Sequence, residues 1–180
     1  MRTQTACALL RLLGISFAAS ADTLDFATFV SSSSISAEEG QNNTIAFNFA
    51  GNKFVGSLYF GGNNAQLYPT NLSGGNVQPF GTPIPTASGE VVAGASLGQG
   101  GFPTGDVYIG SEGGGNIYHM PNTGGSPTLF ATLPSSAGVV RQRFFDPGTS
   151  FGGNMLVTTT SGQVYSVTSA GHPSMIANIW

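Results

Sequence analysis

Gly105-Asp106-Val107-Tyr108-Ile109-Gly110, then Asn116-Ile117-Tyr118, then Gly125-Ser126-Pro127-Thr128-Leu129-Phe130-Ala131-Thr132-Leu133 is the stretch that decides the fold. The same order returns as Gly153-Asn154-Met155-Leu156-Val157-Thr158, then Gln163-Val164-Tyr165, then Gly171 to Ile179. An earlier copy reads Gly56-Ser57-Leu58-Tyr59-Phe60-Gly61, then Gln66-Leu67-Tyr68, then Gly74-Gly75 and Phe80. Measured on the shared tyrosine, the copies lie 50 and 47 residues apart. A repeat of that period suits one blade of a propeller. Tyr68, Tyr118 and Tyr165, beside apolar neighbours at one place in each copy, are expected in the core rather than stacked on a sugar.

In front of each first glycine stands a further apolar segment: Thr44 to Phe49, Glu90 to Leu97 and Val139 to Phe145. The first alternates, with Ile45, Phe47 and Phe49 on one face and Thr44, Ala46 and Asn48 on the other, as a half-buried strand requires. Each copy therefore holds four strands, twelve in all. Gly61-Gly62-Asn63-Asn64, Gly113-Gly114-Gly115-Asn116 and Ser161-Gly162 supply the positive-φ residues that tight turns need. No segment after residue 21 has a helical period. The fold class read from these features is all-β and propeller-type, with about three four-stranded blades over 44–81, 89–133 and 138–179.

Composition agrees with this reading. Of 180 residues, 40% are hydrophobic, 7% are charged and 27 are glycine, which suits a β-rich folded chain and not a disordered one. Five Lys and Arg against eight Asp and Glu give no cationic face for phosphates, so nucleic acid is excluded as a partner.

At the N-terminus, Arg2 and Arg11 flank apolar runs that end in Ala19-Ser20-Ala21, the pattern of a secretory signal peptide over 1–21. Cleavage before Asp22 leaves 22–180 as the mature β domain. It would carry three basic residues, Lys53, Arg141 and Arg143, against eight acids, a net charge of −5. The single cysteine, Cys7, lies inside the leader, so thiol chemistry, disulfides and Cys-ligated metals drop out. It also comes too early for a lipoprotein signal. The expected location is secreted, extracellular or at the cell surface, with the periplasm as the other compartment, and no transmembrane span remains after cleavage. Asn42-Asn43-Thr44 and Asn71-Leu72-Ser73 fit the N-glycosylation pattern for a host that uses it.

Two phrases carry a family resemblance: Phe145-Asp146-Pro147-Gly148 followed by Phe151-Gly152-Gly153-Asn154-Met155-Leu156-Val157, and Gly162-Gln163-Val164-Tyr165 followed by Ser169-Ala170-Gly171. In these the chain resembles secreted bacterial β-propellers of the NHL and SMP-30/gluconolactonase-like kind. The resemblance implies blade architecture over about 44–179 and says little about activity. Closed propellers use roughly four to eight blades, so three leave the ring incomplete. Either the chain is a fragment, or two copies form a homodimer that completes a ring of six. An unclosed ring would expose edge strands and apolar faces.

If the segment before each first glycine is innermost, its residues line the channel in which propellers take ligands. Glu90, Arg141 and Arg143 are then the candidate ligand-binding residues. The two arginines, separated by two, are expected on one side of their strand. A carboxylate or sulfate of an acidic ligand would suit them; the plainer reading is solvent-facing charges. The lactonase resemblance implies a divalent cation held by oxygen ligands, with Glu90, Asp106, Glu112, Asp146 and Asn154 as donors. That full ligand set does not align, and neither a metal nor a cofactor is expected. His119 and His172 have no evident partner in the sequence, and no nucleophile elbow or phosphate-cradling loop is present. The first reading is therefore an exported binding or cell-surface module without catalysis, whose channel takes a small molecule, a carbohydrate or a protein. A metal-dependent lactonase-like hydrolase is the alternative, and a structural adhesin of stacked hairpins a third class.

Overall fold

The structure is a computed structural model that describes residues 44–50, 53–59, 65–70, 73, 75, 76, 78–84, 91–111 and 113–179, with backbone alone for 44–50, 53–59, 65, 66, 69, 70, 91 and 111. The leader over 1–21, both glycosylation asparagines, Glu90 and Glu112 lie outside these residues.

Among the described residues the fold is all-β. Twelve strands form three antiparallel four-stranded sheets, each running in chain order from one edge to the other. Sheet one holds β1 (Thr44–Ala50), β2 (Lys53–Tyr59), β3 (Ala65–Thr70) and β4 (Phe80–Ile84). Sheet two holds β5 (Val91–Ala95), β6 (Val107–Ser111), β7 (Gly114–Met120) and β8 (Thr128–Thr132). Sheet three holds β9 (Val140–Phe145), β10 (Met155–Thr159), β11 (Gln163–Val167) and β12 (Pro173–Asn178). A single 3-10 turn, Ser135–Ala137, joins the last two sheets. No described helix is long and apolar enough to cross a membrane.

Side chains alternate across a strand, so a sheet covered on both faces must be apolar at consecutive positions. Sheet two is such a sheet. Val107 and Ile109 join Ala93, Tyr118 and Met120 against Leu67 and Ile84 of sheet one. The intervening Tyr108, with Ile117, Ala131 and Leu133, packs against Val140, Phe145, Met155, Val157, Tyr165 and Val167 of sheet three. Fully burying an aliphatic side chain of this kind contributes about 1.5–3 kcal/mol, so two clusters hold the stack together. The three tyrosines of the repeat, Tyr68, Tyr118 and Tyr165, are all buried.

Sheets two and three share one register. Val107 pairs with Met120 and Ile109 with Tyr118, as Met155 pairs with Val167 and Val157 with Tyr165. Gly105 and Gly153 accordingly both stand just before the second strand. Gly56 does not: it pairs with Tyr68, in mid-strand, where the other units have Ile109 and Val157. The expected match of Gly56 to the other two glycines therefore fails, because the β2–β3 register and not the glycine sets the correspondence.

The same correspondence aligns Gly94 and Gly110 of sheet two with Phe144 and Thr158 of sheet three. Gly94 and Gly110 face sheet three, where an added Cβ would stand 3.2 Å from Arg143 Cγ and 2.3 Å from Val140 Cγ1 respectively. Phe144 is 58% exposed, on a face that no described sheet covers.

Candidate functional site

The first strands of the sheets meet. β5 packs against both β1 and β9, which sets β9, the strand of Arg141 and Arg143, at a boundary between sheets. Glu90, directly before β5, lies outside the described residues. The two arginines of β9 are separated by the structure. Val140 pairs with Thr159 and Gln142 with Thr158, and this slip of register leaves Arg141 as the extra residue of a bulge. Arg141 is exposed and Arg143 is buried, so the expectation that both point to one side of the strand is corrected: a bulge breaks the period of two.

Arg143 is 5% exposed. Its Nη2 donates to the backbone oxygen of Val92 on β5, and its aliphatic stem lies over Gly94. Nε and Nη1 are buried without a partner among the described residues. Burial pushes the guanidinium down from its ordinary range to about 9, which still leaves it charged at neutral pH.

Sequence reasoning missed a second cluster. His119, which it left without a partner, meets Asp106: Nε2 and Oδ2 are 2.6 Å apart. The other carboxylate oxygen accepts the Asn122 N–H at 2.9 Å, and the Asn122 side chain donates to Thr104 O. Asp106 thus ties the entry of β6 to the end of β7. Tyr108 lies against the His119 ring, with centroids 5.0 Å apart. Burial first, and the Asp106 charge second, raise the Tyr108 phenol to about 12.

The corresponding pair in sheet three is Asn154 and Ser166, and there the Asn154 amide donates to Ser166 Oγ at 3.0 Å. One cross-strand clasp therefore recurs at one place in two units, built from a carboxylate and an imidazole in the first and from an amide and a hydroxyl in the second. A pair repeated in this way is a fastening of the hairpin. Counting back from the Gly114 turn through the hairpin register was the signal that could have found it.

Asp146 is likewise spent on structure. Oδ1 accepts the Gly148 N–H at 3.1 Å, and Oδ2 accepts those of Phe151 and Gly153 at 2.6 and 3.4 Å. Ser96 holds the matching place after β5, and its Oγ accepts the Gly98 N–H at 3.0 Å. Of the five oxygen donors considered for a cation, the carboxylates of Asp106 and Asp146 are engaged in hydrogen bonds, Asn154 is held through its amide nitrogen, and Glu90 and Glu112 lie outside the described residues. Among the described residues no three His, Cys, Asp or Glu gather to hold a metal. His172 sits exposed in the turn before β12, its N–H donating to Thr168 Oγ1.

No protein-family model matches the chain, and no curated protein matches it. Among solved structures it is similar to the computationally designed Ika4 protein, known from its crystal structure. Identity is 12%, 77% of this chain and 72% of that chain are covered, and the TM-score is 0.47.

Proposed function

We propose that the chain is an exported, propeller-type binding module. Each four-stranded sheet is a blade, β1, β5 and β9 are the inner strands of an incomplete ring, and the ligand is taken where they adjoin. The module acts by binding and not by catalysis. Arg143 anchors the ligand, Arg141 lies at the exposed margin of the site, and Glu90, the residue before β5 in sequence, is the third binding residue. The observation that supports this reading is the position of β5, which packs against the first strands of both neighbouring sheets. A propeller places its inner strands in this way, around a channel in which ligands bind.

Expression of the chain with its leader in a secreting host tests export. A product in the exported fraction that begins at Asp22 by mass spectrometry is expected; uncleaved chain kept inside the cell ends that part of the proposal. Retention on an array of acidic and neutral small molecules and saccharides tests binding. Acidic compounds are expected to be held by the native chain and released by the Arg143→Met variant. Equal retention by both forms would remove Arg143 from the site.

A further inference from the structure

Among the described residues, the side-chain N and O atoms that are buried without a hydrogen-bond partner belong to Arg143 and Gln99. Only Arg143 carries charge. A guanidinium has five N–H donors and no acceptor, and a charge taken out of water costs several kcal/mol unless it is paired. Val92 O satisfies Nη2, and a neutral carbonyl leaves the charge unbalanced. The neighbouring Gln142 cannot balance it either: its Oε1 accepts the Arg143 backbone N–H at 3.1 Å. The Asp106 carboxylate is engaged elsewhere, with His119 and the Asn122 N–H.

The surroundings restrict what can complete the site. Val157 pairs with Arg143 across β9 and β10, and Gly94 stands over its stem, and neither carries an acceptor side chain. A group that reaches Nε and Nη1 here must be small, anionic and rich in acceptors. Planar N–H forks match the oxygens of carboxylate, sulfate and phosphate. We infer that Arg143 anchors an oxyanion site at the β5–β9 boundary, which takes a small carboxylate or sulfate, free or as the head of a larger acidic ligand. This rests on the binding-module reading and names the chemistry of its ligand.

The test is an NMR titration of the full mature chain, labelled with nitrogen-15, with sodium acetate and separately with sodium sulfate. Ionic strength is held constant with chloride. Saturable shifts of the Gly94 and Val157 amides are expected with at least one oxyanion and not with chloride. Acetate alone marks a carboxylate ligand, and sulfate alone a tetrahedral one. The response is expected to disappear in Arg143→Met and to weaken at least tenfold in Arg143→Lys, which keeps the charge and loses the fork. Two variants guard against one that does not fold. Silence toward both oxyanions, or the same response in Arg143→Met, overturns the site. So does a response that appears only in Glu90→Gln, because the chain's own carboxylate would then fill the place. A silent titration alongside retention of larger ligands on the array sinks the oxyanion site and leaves the module standing; saturation without retention does the reverse.

Discussion

Gly94 and Arg143 are fitted to one another across the boundary of two sheets: a Cβ on Gly94 would lie 3.2 Å from Arg143 Cγ and 3.6 Å from Nη1. The absence of a side chain on β5 is what lets the arginine lie flat beneath it. Gly94→Val is expected to destabilise the protein by about 1–3 kcal/mol, the range for overpacking a core. The Gly94→Val, Arg143→Ala double variant should recover part of that loss, since contacting residues do not contribute additively. Thermal or denaturant unfolding of the four forms checks this, and strictly additive losses would refute it. Gly110→Ala should be costly at even one carbon, because the obstacle is Val140, a β-branched side chain with one stiff torsion.

Arg143→Met should raise the melting temperature in chloride buffer at neutral pH. It removes an unpartnered buried cation while filling a similar volume, and apolar replacement of buried ions is often neutral to stabilising. The advantage should shrink as acetate or sulfate is added, because the native site is then completed. A variant less stable than the native chain in both media would count against the prediction.

The Asp106–His119 clasp should be exchangeable for its neutral counterpart. Asp106→Asn with His119→Ser installs the residues found at 154 and 166, and stability is expected to stay within about 1 kcal/mol of native. Asp106→Ala alone leaves the Asn122 N–H and the imidazole without their acceptor, and should cost about 1–3 kcal/mol. Denaturant titration separates the two outcomes.

Asp146 holds three backbone N–H groups in the turn between β9 and β10. Asp146→Ala strands them and should cost about 2–3 kcal/mol; Asp146→Asn keeps one acceptor oxygen and should fall between. Hydrogen exchange of the Gly148, Phe151 and Gly153 amides gives the local readout, and unchanged protection in the alanine variant would refute the assignment.

Alkaline stability carries the Tyr108 signature. Its phenol titrates near 12 in the folded chain against an ordinary 10, so the folded state retains a proton that the unfolded state releases. The contribution is complete below pH 10 and is lost as pH rises toward 12. Arg143 acts with the opposite sign: its value, lowered to about 9, makes the unfolded state the better proton binder above that pH, so its contribution grows as pH rises. Tyr108→Phe should therefore flatten the alkaline fall, and Asp106→Asn should bring the phenol back toward 10 by absorbance titration.

Strand content was legible because it is local. Alternation in Thr44 to Phe49 depends on neighbours in sequence, and so do the glycine turns; the recurrence of Tyr68, Tyr118 and Tyr165 is one such local pattern repeated along the chain. The site was legible only in part. Arg143 was found, but its relation to Arg141 was misjudged, because a bulge is set by the partner strand and leaves no mark in the spacing of two residues. The Asp106–His119 contact joins residues 13 apart, and it shows only when the β6–β7 register is fixed. Gly94 passed as one more apolar-strand residue in Val-Val-Ala-Gly-Ala, although glycine inside a strand often marks the close approach of another chain segment. What it meets comes from a strand about 50 residues later, beyond the reach of any local pattern.

The placement of Gly94 and Gly110 in sheet two, against Phe144 and Thr158 in sheet three, gives the stack a direction. Sheet two is notched to receive a successor, and sheet three is not. Gene segments for the two units could therefore not be shuffled freely: a copy of the third unit spliced into the second position would thrust a phenyl ring into the berth of Arg143. The similar sequences of these two units conceal an ordered assembly, in which the second is cut to receive the third.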